Sequence, residues 1–321
     1  MKSKKTYGSA CPPAAAAGGV TFGEAAAMWM EAKAPLVRRS TLCAYRLALR
    51  THLLPRLGGL RTVTEADIQG LVADMSAAGM ARSTVRNNVA VAASVAAFCR
   101  KRGLAEWGAW EVRYPTAGRG RRRVLTLADH RKVMEALRGA PSANGMGVML
   151  ALCAGLRIGE VCGLRWEDVD FAARTLGVRR TVGRVYDCEG RRASKTEGLP
   201  KTPGSERDVP ISATLMRALR AWRGRSASPY VAGASPLPAD PRSLRSWFAR
   251  LLRRLGAEAV TFHGLRHTFA TRCVEAGCDV KTLSAILGHS NVATTLNLYV
   301  HPDEGQKARC VERMSKFVEG M

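Results

Sequence analysis

The chain has 321 residues, 46% of them hydrophobic, which is enough to build two domains with separate cores. Lys and Arg number 50 against 26 Asp and Glu, a net charge of +24, and this excess points to a polyanionic partner, nucleic acid ahead of an acidic membrane. No stretch approaches the roughly 20 apolar residues of a membrane helix, so no membrane is expected and the cytoplasm is the expected location.

Residues 1–20 carry Lys2, Lys4 and Lys5 followed by Ala, Pro and Gly. They read as a flexible basic arm, and CPPAAAAGGV is too small and too broken for the apolar run of a signal peptide. Residues 21–105 then read as four helices. Thr21 with Glu24 is a capping box and Thr64 with Asp67 its Asp variant, while Ser40 and Ser83 are the expected caps of the other two helices. Pro55 with Gly58 and Gly59, Gly79, and Gly103 mark the ends. Leu42, Tyr45, Leu49 and Leu53 keep helical spacing.

Residues 106–124 read as an Arg-rich linker. From 113 to 124 the chain holds Arg113, Arg119, Arg121, Arg122 and Arg123 and no acid, a composition suited to tracking phosphates. Residues 125–321 form the second domain. Thr126 opens a helix ending near Gly139, and VMLALCAGLRIGEVCGL continues helical with a break near Gly155. Between Val169 and Ile211 the text turns to short β-prone pieces, TLGVRRTVG and RDVPI. With the Gly/Pro/Ser-rich SKTEGLPKTPGSE between them, these predict a small antiparallel sheet with an exposed turn. Helices return from Ala213 onward, including one over 280–287 begun by Asp279 and ended by Gly288. The fold class is therefore mainly α with a small antiparallel β-sheet (α+β).

The nine cysteines form no CxxC pair and read as reduced core residues. His263, His267, Cys273 and Cys278 do not read as a zinc site, because residues 264–276 are predicted as one continuous helix with no room for a finger loop. No metal and no cofactor is expected.

Four polar clusters stand out: Arg157 in AGLRIGE, Lys201 in PKTPGSERDVP, His263 with Arg266 in HGLRH, and His289 with Tyr299 in LGHSNVATTLNLYVH. Each has a plain alternative. Arg157 can pair with Glu160 at i+3, Lys201 can be a solvated turn lysine, His263 and Arg266 can be a helix-surface pair, and Val292, Leu296 and Tyr299 recur at core-facing helical spacing. Taken together they describe phosphoryl transfer, which needs cations on the nonbridging oxygens, an in-line nucleophile and an acid for the leaving oxygen. His263 and Arg266, at i and i+3, share a helix face. Tyrosine's pKa near 10 is lowered by neighbouring guanidinium charge.

These clusters resemble those of the tyrosine recombinases, the phage integrase family. AGLRIGEVCGLRWEDVDF is similar to its first-arginine box, HGLRHTFAT to its HxLRH box, and LGHSNVATTLNLYVH to its final histidine and nucleophile segment. The resemblance implies that 21–105 is a helical core-DNA-binding domain and 125–321 a catalytic domain. It implies that Arg157 and Arg266 clamp the scissile phosphate and that Tyr299 attacks it. Lys201 would protonate the leaving 5′ oxygen, His263 would act as base or positioner, His289 would bond a phosphate oxygen, and Glu160 would be the box's structural acid. Lys195 also precedes a Thr, but Lys201 fits the family's K-T-x-x-S-x-R-x-V-P run through Ser205, Arg207, Val209 and Pro210.

Two departures are visible: about 20 residues precede the core-binding domain, so no arm-site-binding domain is expected, and AEWGAW replaces the usual Asn-Pro. The expected function is site-specific recombination of double-stranded DNA for a mobile element, by a homotetramer on two sites, with accessory directionality or DNA-bending factors. The C-terminal helix, about 303–319, would dock on a neighbouring protomer. A type IB topoisomerase-like activity and a non-enzymatic repressor or architectural protein are the alternatives. The arginines at 119, 121, 122 and 123 are the expected DNA contacts.

Overall fold

A computed structural model of the chain describes residues 19–116, 123–139, 142–186, 193–198, 206–233 and 236–288, and near the C-terminus 311, 312, 314, 315, 318 and 319. It divides into two compact units, residues 1–120 with 185–194, and 121–184 with 195–321.

The first unit is helical. Helix α1 (Phe22–Lys33) starts in the predicted capping box: the Thr21 hydroxyl accepts from the Glu24 amide, and the Glu24 carboxylate accepts from the Thr21 amide at 2.8 Å. Helix α4 (Glu65–Ala77) repeats the arrangement with Thr64 and Asp67. Helix α2 (Arg39–Ala48) runs through a π-helical turn, Leu49–Leu53, into the short α3 (Leu54–Leu57). The π turn lies just ahead of Pro55, whose missing N–H and bulky ring interrupt an α ladder. Helix α5 (Arg82–Lys101) completes the set.

Ser40 and Ser83 are not the caps. The cap residues are Arg38 and Ala81, neither making a side-chain cap bond to the helix, so both serines fall inside the first turn. The core gathers Phe22, Trp29, Leu53, Leu57, Ile68, Val95 and Cys99.

This unit extends beyond residue 105, where the sequence reading begins its linker. Trp107 is buried and stacks on Phe22 with ring centroids 5.7 Å apart, and its Nε1 donates to the Arg61 carbonyl at 2.9 Å. Trp110 Nε1 donates to the Val63 carbonyl, and Gln69 and Arg113 exchange side-chain to backbone bonds at 3.0 Å each. One buried and one half-buried indole, each with its N–H satisfied, hold this segment on the helices as a strap.

The second unit is built around α7 (Ala143–Ala154), capped by the Ser142 hydroxyl and stopped by Gly155 at φ +66°. Ten of its twelve residues are buried, which makes it the central helix. Around it lie α6 (Leu127–Gly139), α8 (Ile158–Gly163), α9 (Ala213–Arg223), α10 (Pro241–Arg254) and α11 (Phe262–Glu275). Helix α12 (Val280–Leu287) has Asp279 as cap and Gly288 at φ +63° as its end, as the sequence predicts.

The β region forms two sheets where the sequence suggests one. Strands β1 (Val169–Asp170), β2 (Thr175–Val178) and β5 (Arg207–Pro210) make an antiparallel sheet in the order β1-β2-β5, with Leu176 opposite both Val169 and Val209. Strands β3 (Thr181–Tyr186) and β4 (Ala193–Gly198) pair separately. Ser194–Gly198, read from the sequence as part of the exposed turn, is therefore strand. Residues 195–198 of β4 are anchored within the second unit by polar contacts: Glu197 takes Arg165 at 3.1 Å and the Tyr230 hydroxyl at 3.0 Å, and Lys195 Nζ donates to the Pro238 carbonyl at 3.0 Å.

Candidate active site

The left-handed turn at Gly155 is sterically enforced. A Cβ there would lie 2.6 Å from a Phe269 ring carbon and 3.0 Å from Leu287, so only glycine lets α7 end this close to α11 and α12. Two residues later Arg157 caps α8. Its backbone N–H donates to Glu160 Oε2 at 2.9 Å and its Nη1 to Glu160 Oε1 at 2.7 Å. The plain i+3 pairing and the catalytic reading of Arg157 are thus compatible, since Nη2 reaches onward to the Gly288 carbonyl at 3.1 Å.

Helix α11 begins at the Thr261 cap and presents HGLRH along its first turns. Arg266 is 2% exposed and donates to the Gly155 carbonyl at 2.9 Å and the Leu287 carbonyl at 2.7 Å. His263 is exposed, its ring edge-on to His267 with centroids 4.6 Å apart. α11 is continuous from 262 to 275, so His263, His267 and Cys273 lie on one helix. Among the described residues no His/Cys/Asp/Glu group could hold a metal ion.

A third arginine completes the cluster, and sequence reasoning gave it no role. Arg207, on β5, donates from Nη1 and Nη2 to the two oxygens of Glu160 at 3.2 and 3.0 Å, and from Nε to the Ile286 carbonyl at 2.6 Å. The signal was present in the strand text R-D-V-P. Period-2 alternation puts Arg207 on the same face as Val209, which is 1% exposed.

Three guanidiniums from three elements therefore meet three consecutive carbonyls at the end of α12: Arg207 on Ile286, Arg266 on Leu287 and Arg157 on Gly288. Those carbonyls are the ones a helix C-terminus leaves without intrahelical partners, at the negative end of its dipole. Among the described residues, Glu160, 4% exposed, is the one carboxylate bound within the group. Burial pushes its pKa up, but the Arg207 hydrogen bonds and the Arg207 and Arg157 charges outweigh burial and hold it below its ordinary value. Among the described residues, three cations against one anion leave a positive excess. Arg157, with 35% of its side chain exposed, is the guanidinium of the three that solvent reaches most.

The remaining expected residues divide cleanly. Lys201, His289, Tyr299, Arg119, Arg121 and Arg122 lie outside the described residues. Arg123 is described: its side chain is exposed and 3.6 Å from Glu258. The chain just after it is laid along α11, with the Leu125 amide donating to Thr268 Oγ1 at 3.0 Å and Arg272 Nη2 to the Leu125 carbonyl at 2.8 Å.

Residues 123–306 match the phage integrase family, and residues 21–76 match the N-terminal SAM-like domain of phage integrases. The chain belongs to the phage integrase family. Among its curated relatives, a tyrosine recombinase XerC-like protein of Caldanaerobacter subterraneus subsp. tengcongensis is 35% identical over 213 residues. That alignment covers 60% of this chain and 54% of the relative, so this chain spans about half the length of that protein. A tyrosine recombinase XerC of Mycobacterium sp. (strain KMS) is 30% identical over 264 residues, 75% of this chain and 79% of the relative.

The fold of a phage integrase is also what solved structures share with it. An integrase of the Tn1549 transposon, in complex with a circular intermediate DNA, superposes with a TM-score of 0.76 at 21% identity, over 92% of this chain and 99% of that one. A lambda integrase tetramer bound to a Holliday junction gives 0.64 at 16% identity, over 88% and 78%. Among the described residues no helix is long and apolar enough to cross a membrane.

Proposed function

We propose that this chain is a site-specific recombinase that cuts and rejoins double-stranded DNA through Tyr299. The observation that carries the reading is the convergence of Arg157 and Arg266 on the carbonyls of Leu287 and Gly288. These residues immediately precede His289, in a chain of the phage integrase family. Two cations brought from distant elements to the start of the His289–Tyr299 segment are what an in-line attack on a phosphodiester requires.

In the proposed step Tyr299 Oη attacks the scissile phosphorus and gives its proton to His263. The bond from phosphorus to the 5′ oxygen breaks, and that oxygen takes a proton from Lys201. The products are a 3′-phosphotyrosyl link and a free 5′-hydroxyl. Arg157, Arg266 and His289 stabilise charge on the nonbridging oxygens throughout. Attack by a 5′-hydroxyl from another strand reverses the step and releases the tyrosine. Lys201 is favoured over Lys195 because it fits the K-T-x-x-S-x-R-x-V-P run, whereas Lys195, on β4, donates to the Pro238 carbonyl. A tetramer on two DNA sites, serving a mobile element and aided by bending or directionality factors, is the proposed assembly. Arg119, Arg121, Arg122 and Arg123 are its proposed phosphate contacts.

The test uses a duplex enriched by the wild-type protein from a random-sequence DNA library and nicked near its centre. Wild type is expected to yield an SDS-resistant protein–DNA adduct and Tyr299→Phe none. An adduct that persists in Tyr299→Phe would overturn the nucleophile assignment. Binding without any adduct from wild type would favour a repressor or architectural role.

A further inference from the structure

Arg207 is 7% exposed at its side chain, and its three nitrogens are distributed between two elements. Its fork closes on both oxygens of Glu160, in α8, while Nε holds the Ile286 carbonyl near the end of α12. Because the guanidinium is planar, these bonds fix the distance and the angle between β5, α8 and the α12 terminus together. The backbone beside it is equally restricted. Gly288 sits at φ +63°, and a Cβ there would lie 2.9 Å from Arg207 Cδ, so the arginine packs directly on the turn that leads to His289.

Glu160 is shared. The carboxylate that Arg207 grips is the one that holds Arg157 by its backbone and its guanidinium. We propose that Arg207 is a positioning residue for strand cleavage, setting the exit of α12 and the orientation of Arg157 with one side chain. It acts through Glu160 and the chain entering His289 and not through contact with DNA, and the proposal rests on the reading of Tyr299 as nucleophile. Lysine keeps the charge but has a single nitrogen that cannot form the fork and the Nε bond together. The conservative change should therefore fail to rescue.

The experiment compares full-length wild type, Arg207→Lys and Arg207→Gln on the nicked, library-enriched duplex. Three quantities are read: affinity for the intact duplex, the single-turnover rate of adduct formation, and hydrogen exchange at the amides of residues 286–288. Circular dichroism melts establish the folded fraction, and Arg207→Lys remains informative where Arg207→Gln does not fold. The expected result for Arg207→Lys is unchanged affinity, adduct formation slower by about 100-fold, the loss that a misplacement of about 1 Å brings, and faster exchange at 286–288.

Cleavage at the wild-type rate in Arg207→Lys would overturn the proposal. So would a loss that merely follows the folded fraction or the DNA affinity. If wild type forms no adduct at all, the recombinase reading fails by itself. The exchange measurement still decides whether Arg207 holds the α12 exit, and unchanged exchange refutes that.

Discussion

Replacing Glu160 with glutamine removes one negative charge and almost no volume, so it isolates the electrostatic part of the cluster. Each carboxylate oxygen accepts two hydrogen bonds: Oε1 from Arg157 Nη1 and Arg207 Nη1, Oε2 from the Arg157 amide and Arg207 Nη2. Whichever way the glutamine amide is turned, its NH₂ faces two donors and two of the four bonds are lost. Breaking a buried pair by removing one partner costs about 3–5 kcal/mol, and glutamine keeps half of the bonds, so about 3 kcal/mol is expected. In a unit of roughly 200 residues that lowers Tm by about 6–12 °C.

The pH dependence gives a sharper check. Glu160 has its folded pKa held below the ordinary value of 4.5. Its stabilising contribution is therefore complete above that value and is lost as pH falls through the folded pKa. Glu160→Gln has nothing to titrate there. The stability gap between wild type and variant, measured by urea unfolding, should be constant from about pH 8 to 6 and narrow below about pH 4. A gap under about 1 kcal/mol at pH 7, or one that does not respond to acid, would refute the idea that Glu160 is the charge on which two arginines are balanced.

Two further outcomes are expected. Trp107→Ala removes a buried ring stacked on Phe22 and exposes the Arg61 carbonyl, and should destabilise the first unit by about 3–5 kcal/mol; fluorescence-monitored urea melts that match wild type would show that the strap is not part of the unit. Neutralising Arg119, Arg121, Arg122 and Arg123 together should weaken DNA binding and flatten the dependence of log affinity on log salt by up to about 4 units, and an unchanged slope would remove them from the phosphate contacts.

What could be read in advance follows the range of the interactions. The capping boxes at Thr21 and Thr64, the bounds of α12 and the Arg157–Glu160 pair all join residues three or four apart, so spacing reveals them. Arg207 meets Glu160 across 47 positions, and no local pattern announces such a bond, even though alternation in β5 turns the side chain inward. The strap of Trp107 and Trp110 was hidden for the same reason, since its partners lie 46 and 47 residues earlier. Ser40 and Ser83 failed as caps because good cap chemistry one or two residues inside a helix looks identical in sequence to a cap at its edge. His263 and Arg266 share a helix face by spacing, yet one is exposed and the other buried, a difference set by the neighbouring α12.

Helix α12 has a consequence for how this protein would be studied. Ala270, Leu283 and Leu287 form a small apolar cluster of their own, apart from the main core around α7. The far end of the helix is tied by guanidiniums to carbonyls. A helix held in this way can open as a local cooperative unit at a fraction of the free energy of global unfolding. Calorimetry on the whole chain would register the core and pass over α12, so the calorimetric stability of a variant need not predict its turnover. The turn that hands the chain on to residue 289 would then follow a local equilibrium of its own.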